Sequence, residues 1–168
     1  YRTKSTATPI KTDPSIKHGL SLSDDFEGPE PGLQWTFWKE YAPQSLSFKK
    51  QTLWIDAKGS TPSDARLLLA TAEDKNYETQ VEVNVGKGNT AGLLLYYSEK
   101  AYAGVVSDGK NFTIYRNAEN SFTLPNKLGK RFLAKIQNQG NSVRMAVSKD
   151  GKEWTTLVEN MDVSQLHH

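Results

Sequence analysis

Polar and apolar residues alternate along most of this chain, and helical spacing is nearly absent. In "YETQVEVNV", Tyr77, Thr79, Val81, Val83 and Val85 fall on one face and Glu78, Gln80, Glu82 and Asn84 on the other, the pattern of a half-buried antiparallel strand. "SLSFKKQTLWIDA" shows the same period twice, with the polar stretch Lys49 to Thr52 as a turn between two short strands. "NFTIYRN" follows an Asp108-Gly109 turn, and "RFLAKIQNQGNSVRMAVSKDGKEWTTL" reads as three strands joined by turns at Gln139-Gly140-Asn141 and Asp150-Gly151. Turn signals recur about every 8 to 12 residues, the spacing of two packed antiparallel sheets. The expected fold is all-β, an antiparallel two-sheet β-sandwich spanning residues 21–168.

Residues 1–20, "YRTKSTATPIKTDPSIKHGL", break this pattern with two prolines, several Ser and Thr and a basic bias. They read as a linker or strap from an upstream domain.

Composition adds limits. The 168 residues, 36 % hydrophobic and 24 % charged, suit one domain with one core. The net charge of +2 is spread over interspersed signs, so neither nucleic acid nor an anionic membrane is an expected partner. Apolar runs reach about five residues, against the roughly 20 that span a bilayer. With no Cys there are no disulfides or thiolate metal sites, which is neutral on compartment.

Candidate chemistry is sparse, and no catalytic residue is assigned. Asp24 and Asp25, adjacent at an apparent strand start, would point to opposite faces and could not flank one glycosidic bond. Their oxygens make them the candidate metal ligands, for a calcium ion at the sandwich edge, although no cofactor is required. Glu78 and Glu82 share a strand face but stand about 13 Å apart, beyond the spacing of a glycosidase pair. His18, His167 and His168 lack any metal-binding spacing, and no serine sits in a nucleophile elbow. "NVGKGNTAG" reads as a strand-connecting turn rather than a phosphate loop.

The aromatic residues are more informative. Trp35 and Phe37 share a strand face while Trp38 looks the other way. Trp35 and Trp154 are expected to be structural. Trp38, Tyr96, Tyr102 and Phe112 are the candidates for stacking on a sugar ring from a concave sheet.

Four stretches, "SDDFEGPEPGLQWTFWKEY", "LLLATAEDKNYETQVEVNV", "AGLLLYYSEKAYAGV" and "VSKDGKEWTTL", together resemble the C-terminal concanavalin A-like (jelly-roll) module of family 43 glycoside hydrolases, the β-xylosidase and α-L-arabinofuranosidase group. The resemblance runs from about Leu22 to His168. It implies a module that follows a catalytic five-bladed β-propeller, with 1–20 as the connector. In some members a loop just before the AGL motif reaches the catalytic pocket with an aromatic. Here that loop, Gly86 to Thr90, has none, so structural support is the expected role. The family continues past "MDVSQLHH" with closing strands, so the sandwich is expected to lack them here.

Three functions compete on these grounds: a non-catalytic accessory sandwich of a plant-polysaccharide-degrading glycosidase, an autonomous carbohydrate-binding domain, and a free-standing jelly-roll glycosidase. The implied partners are an upstream β-propeller and an oligosaccharide derived from xylan or arabinan. A bacterial periplasmic or secreted setting is favoured over the cytoplasm.

Overall fold

The computed structural model describes residues 22–39, 42–72 and 74–166. The expected strap 1–20 and the closing His-His pair lie outside them. Two four-stranded antiparallel sheets form the sandwich. One holds β5 (Asn76–Asn84), β10 (Arg131–Gln139), β11 (Ser142–Ser148) and β12 (Trp154–Asp162), in the order β12-β11-β10-β5. The other is a meander of β6 (Ala91–Tyr96), β7 (Tyr102–Ser107), β8 (Asn111–Tyr115) and β9 (Ser121–Pro125), in sequence order. Two small ribbons precede them: β1 (Thr36–Phe37) pairs with β4 (Leu68–Leu69), and β2 (Leu46–Phe48) with β3 (Leu53–Ile55).

The core follows from the period of two. Val83, Phe132, Ala134, Ile136, Val143, Met145 and Val147 face Ala103, Val105, Phe112 and Ile114 across the sandwich, all of them buried. Phe112 meets Phe132 edge to face, with ring centres 5.1 Å apart. After β12 the chain crosses between the sheets: Val163 and Leu166 join the core, and Gln165 Nε2 donates to the Arg116 carbonyl at 2.8 Å.

The turns repeat one device. Asp108 Oδ1 accepts from the N–H groups of Lys110 and Asn111, Asp150 Oδ1 from those of Lys152 and Glu153, and Asn126 Oδ1 from those of Leu128 and Gly129. Each side chain stands in for a missing backbone acceptor and fixes the reversal that sets strand register.

Both outer edges on the open side of the sandwich are guarded. Arg116 N–H bonds to the Asn120 carbonyl and Asn126 N–H to the Lys110 carbonyl, and the register in between turns the backbone of Ser121, Thr123 and Pro125 outward. Pro125 removes a donor from that edge. β12 carries two register shifts, between Val143 and Met145 and between Met145 and Ala146 of its partner strand, which bend its free edge.

Candidate functional site

The two outer sheet faces differ in chemistry. On the β5-β10-β11-β12 face, charge is arranged in pairs. Lys135 Nζ lies 2.9 Å from Glu78 and Arg131 Nε lies 2.7 Å from Glu82, while Arg144 Nε reaches Glu159 at 3.3 Å. Gln137 Nε2 donates to Glu78 at 2.7 Å, and Arg144 donates through its two terminal nitrogens to Gln137 Oε1 and Thr156 Oγ1. The bond from Lys135 holds the Glu78 carboxyl below the usual range. Trp154 completes this network: Lys135 Nζ stands 4.3 Å from its ring centre, and its indole N–H donates to the Gly151 carbonyl at 3.1 Å. Trp154 is therefore a half-buried outer-face residue. The ion-paired positions of Glu78 and Glu82, facing water rather than a cleft, give no acid/base pair.

The outer face of the β6–β9 meander carries no charged side chain. The register places on it Gly92, Leu94 and Tyr96 from β6, Tyr102, Gly104 and Val106 from β7, Asn111, Thr113 and Tyr115 from β8, and Ser121, Thr123 and Pro125 from β9. β6 and β7 come together at their glycines. A Cβ on Gly104 would run into the Leu93 carbonyl and lie 2.7 Å from Leu94 Cα, and one on Gly92 would meet the Val105 carbonyl. Only glycine allows this approach.

One end of this face is an aromatic cluster. Tyr96 stacks on Tyr102 with ring centres 5.8 Å apart, Trp38 meets Tyr96 edge-on at 5.1 Å, and Tyr115 meets Tyr102 edge-on at 5.5 Å. The preceding segment is held against it: Trp38 N–H donates to the Leu67 carbonyl, Ser63 Oγ to the Glu99 carbonyl at 2.7 Å, and Lys39 pairs with Glu99. Ser63 Oγ also lies 3.2 Å from the Tyr102 hydroxyl. Burial pushes the Tyr96 hydroxyl's pKa up, with the Glu99 charge adding to the effect. Trp38 Nε1 and Tyr96 Oη are buried without a hydrogen-bond partner among the described residues.

The structure thus brings together three of the four stacking candidates, Trp38, Tyr96 and Tyr102. Their faces turn mainly to one another, and Tyr102 is only 1 % exposed. Phe112 stands apart on the inner face at 2 % exposure, so its ring meets Phe132 and the core, not solvent. Ser63, Glu99 and Lys39 belong to the cluster without any advance signal, because they are joined to it only by tertiary contacts.

Asp24 and Asp25 precede β1 in a loop, not in a strand, so strand alternation does not govern them. Asp24 Oδ1 accepts from the Phe26 N–H at 2.8 Å, and its Oδ2 accepts from Gln34 Nε2 at 3.0 Å and from the Trp35 indole N–H at 2.7 Å. Asp25 Oδ1 accepts from the Glu27 N–H. The first carboxylate anchors a half-buried Trp35 that stacks on Phe26, which accounts for Asp24 and the tryptophan of "SDDFEGPEPGLQW". A shallow bowl of about 710 Å³ opens beside them, lined by Asp24, Asp25, Glu30 and Gln34. No group of three or more His, Cys, Asp or Glu gathers among the described residues.

Two packed antiparallel sheets with neutralised carboxylates define a concanavalin A-like sandwich whose described residues assemble no catalytic pair. A family model described as the beta xylosidase C-terminal concanavalin A-like domain matches residues 23–168, and the chain belongs to that family. No curated protein matches it. Among solved structures it is similar to the family 43 glycoside hydrolase BlXynB from Bacillus licheniformis, with 21 % identity and a TM-score of 0.71, over 85 % of this chain and 31 % of that one. A point mutant of the same protein gives 20 % and 0.72 over the same shares. A xylan beta-1,4-xylosidase from Bacillus halodurans gives 15 % and 0.68, over 96 % of this chain and 33 % of that one. The chain therefore spans about a third of the length of the structures it resembles.

Proposed function

We propose that this chain is the non-catalytic accessory sandwich of a plant-polysaccharide-degrading glycoside hydrolase, packed on a catalytic β-propeller that it supports. The observation that carries the reading is the state of its strand carboxylates. Glu78, Glu82 and Glu159 are each tied to a cation on a neighbouring strand, so among the described residues these strand carboxylates form no pair facing across a cleft where a sugar could lie. The family membership and the one-third share of the similar structures agree with a module beside a separate catalytic unit.

The purified chain is expected to leave aryl xylosides and arabinofuranosides intact. Its deletion from the natural polypeptide is expected to lower the melting temperature of the remainder. Turnover by the isolated chain, surviving repurification, refutes the non-catalytic role; a remainder of unchanged melting temperature and activity refutes the supporting one.

A further inference from the structure

We propose that the uncharged outer face of β6–β9 is the surface that docks on the catalytic domain, an inference that rests on the accessory reading above. A sheet face in water normally carries charged side chains, as the opposite face of this sandwich does. Interface cores are depleted of them instead. Leu94 and Val106 stand half-buried on the meander face, Thr113 adds a methyl and a hydroxyl, and Gly92 and Gly104 add no side chain. A Cβ at either position would run into the backbone of the neighbouring strand, so the two glycines hold β6 and β7 close together there.

Charge complementarity defines the occupant. With no cation or carboxylate on this face, a charged partner surface would lose hydration and gain no counter-ion. An uncharged apolar protein surface loses nothing comparable. A glycan fits less well, because the rings here face one another and no charged or amide side chain other than Asn111 is present to grip hydroxyl groups. At the margin of the face, Trp38 Nε1 and Tyr96 Oη offer buried donors that nothing among the described residues satisfies. The docked surface is expected to supply carbonyl or hydroxyl acceptors there.

The test uses the natural polypeptide that carries this chain, unfolded by heat with calorimetric detection. Wild type is expected to melt as one cooperative unit. Thr113→Lys and Val106→Glu should split that transition or lower it by more than ~5 °C, while Gln80→Lys on the charged face shifts it by no more than about 1 °C. Amide exchange of β10 shows whether each variant sandwich is intact. Thr123→Lys, on the exposed edge strand β9, repeats the perturbation where folding is least at stake. Equal effects from the two faces overturn the docking assignment and leave the accessory reading standing. Two independent transitions in wild type overturn the accessory reading itself. Self-association of the polypeptide that Thr113→Lys abolishes assigns the face to a second copy. Stabilisation by xylo-oligosaccharide that Thr113→Lys abolishes assigns it to sugar. Either of these outcomes refutes the proposal.

Discussion

Replacing Tyr102 tests whether the aromatic cluster is packing or a ligand platform. Ser63 has one hydroxyl proton, and it goes to the Glu99 carbonyl at 2.7 Å, so the contact of 3.2 Å with Tyr102 must be donated by the tyrosine. Tyr102→Phe removes that donor and leaves only a weakened acceptor on Ser63, a loss of about 1 kcal/mol. Ser63→Ala is the harsher change of the two, because it strands the buried Tyr102 hydroxyl and deprives Glu99 of its donor, at about 1–3 kcal/mol. Tyr102→Ala also vacates a ring that is 1 % exposed and touches Tyr96 and Tyr115, which should cost about 3–5 kcal/mol. In a domain of this size 1 kcal/mol moves the melting temperature by about 2–4 °C. Tyr102→Phe should therefore lower it by about 2–4 °C and Tyr102→Ala by about 10 °C. Urea unfolding of the two single variants and the Ser63→Ala, Tyr102→Phe double variant closes the cycle. The double variant should be no less stable than Ser63→Ala alone, since removing the hydroxyl removes the stranded donor. Strict additivity would refute the hydrogen bond, and a Tyr102→Ala protein melting within a degree of wild type would refute the packing.

Other expectations concern the charged face, the turns and the paired glycines. Because Trp154 is half-buried, Trp154→Ala should cost about 2 kcal/mol rather than the full price of a buried ring, and a cycle with Lys135→Met should show coupling of about 0.5–1 kcal/mol; zero coupling would remove the cation–π contact. Backbone N–H groups hold Asp64, Asp108, Asp150 and Asp162 below the usual carboxylate range. A depressed carboxyl favours the folded state above its ordinary pKa, about 4, and that contribution is lost as pH falls through the depressed value. The melting temperature should thus be level near neutrality and fall below about pH 4, with a shallower fall in Asp108→Asn; an identical acid slope in that variant would sink the assignment. Gly104→Ala should destabilise by more than the ~1 kcal/mol of an ordinary strand substitution, and a neutral result in thermal unfolding would show that β6 and β7 can separate.

The parts of this fold that are legible in the sequence are those with one wet face. Strands β5, β10 and β11 alternate cleanly because Glu78, Glu82, Arg131, Lys135 and Arg144 mark their outer positions. "AGLLLYY" and "YAGVVS" show no such alternation, because both faces of β6 and β7 are apolar or small, and a period cannot be read from a pattern without contrast. That loss of contrast is the trace of the uncharged face. Of the first ribbons, β2 and β3 follow the period of "SLSFKKQTLWIDA", whereas β1 and β4 are strands of two residues whose pairing is set by tertiary contacts, and pattern alone could not place them. Among the stacking candidates the pairing of Tyr96 with Tyr102 explains why those two rings meet. The register that puts Phe112 opposite Leu124 turns it inward, whereas Tyr102 and Tyr96 point outward. Trp154 reads as core by residue type, but its pairing with Ser148 carries it to the charged face.

The insertion of the whole meander between β5 and β10 also orders events in time. Each meander strand after the first pairs with the one just before it, so this sheet closes through short hairpins. β5 has no such partner, since Asn84 pairs with Arg131 and Asn76 with Gln139, beyond the entire meander. At synthesis rates of about 5–20 residues per second, β5 waits on the order of seconds for β10 to emerge. During that interval its valine face, Val81, Val83 and Val85, has only nascent meander to lie against, while Glu78, Gln80 and Glu82 keep its other face in water. Pulse-labelled exchange should therefore find amides of β7 and β8 protected before those of β5, and charge-removing changes at Glu78 or Glu82 should lower the yield of soluble chain more than they lower its equilibrium stability.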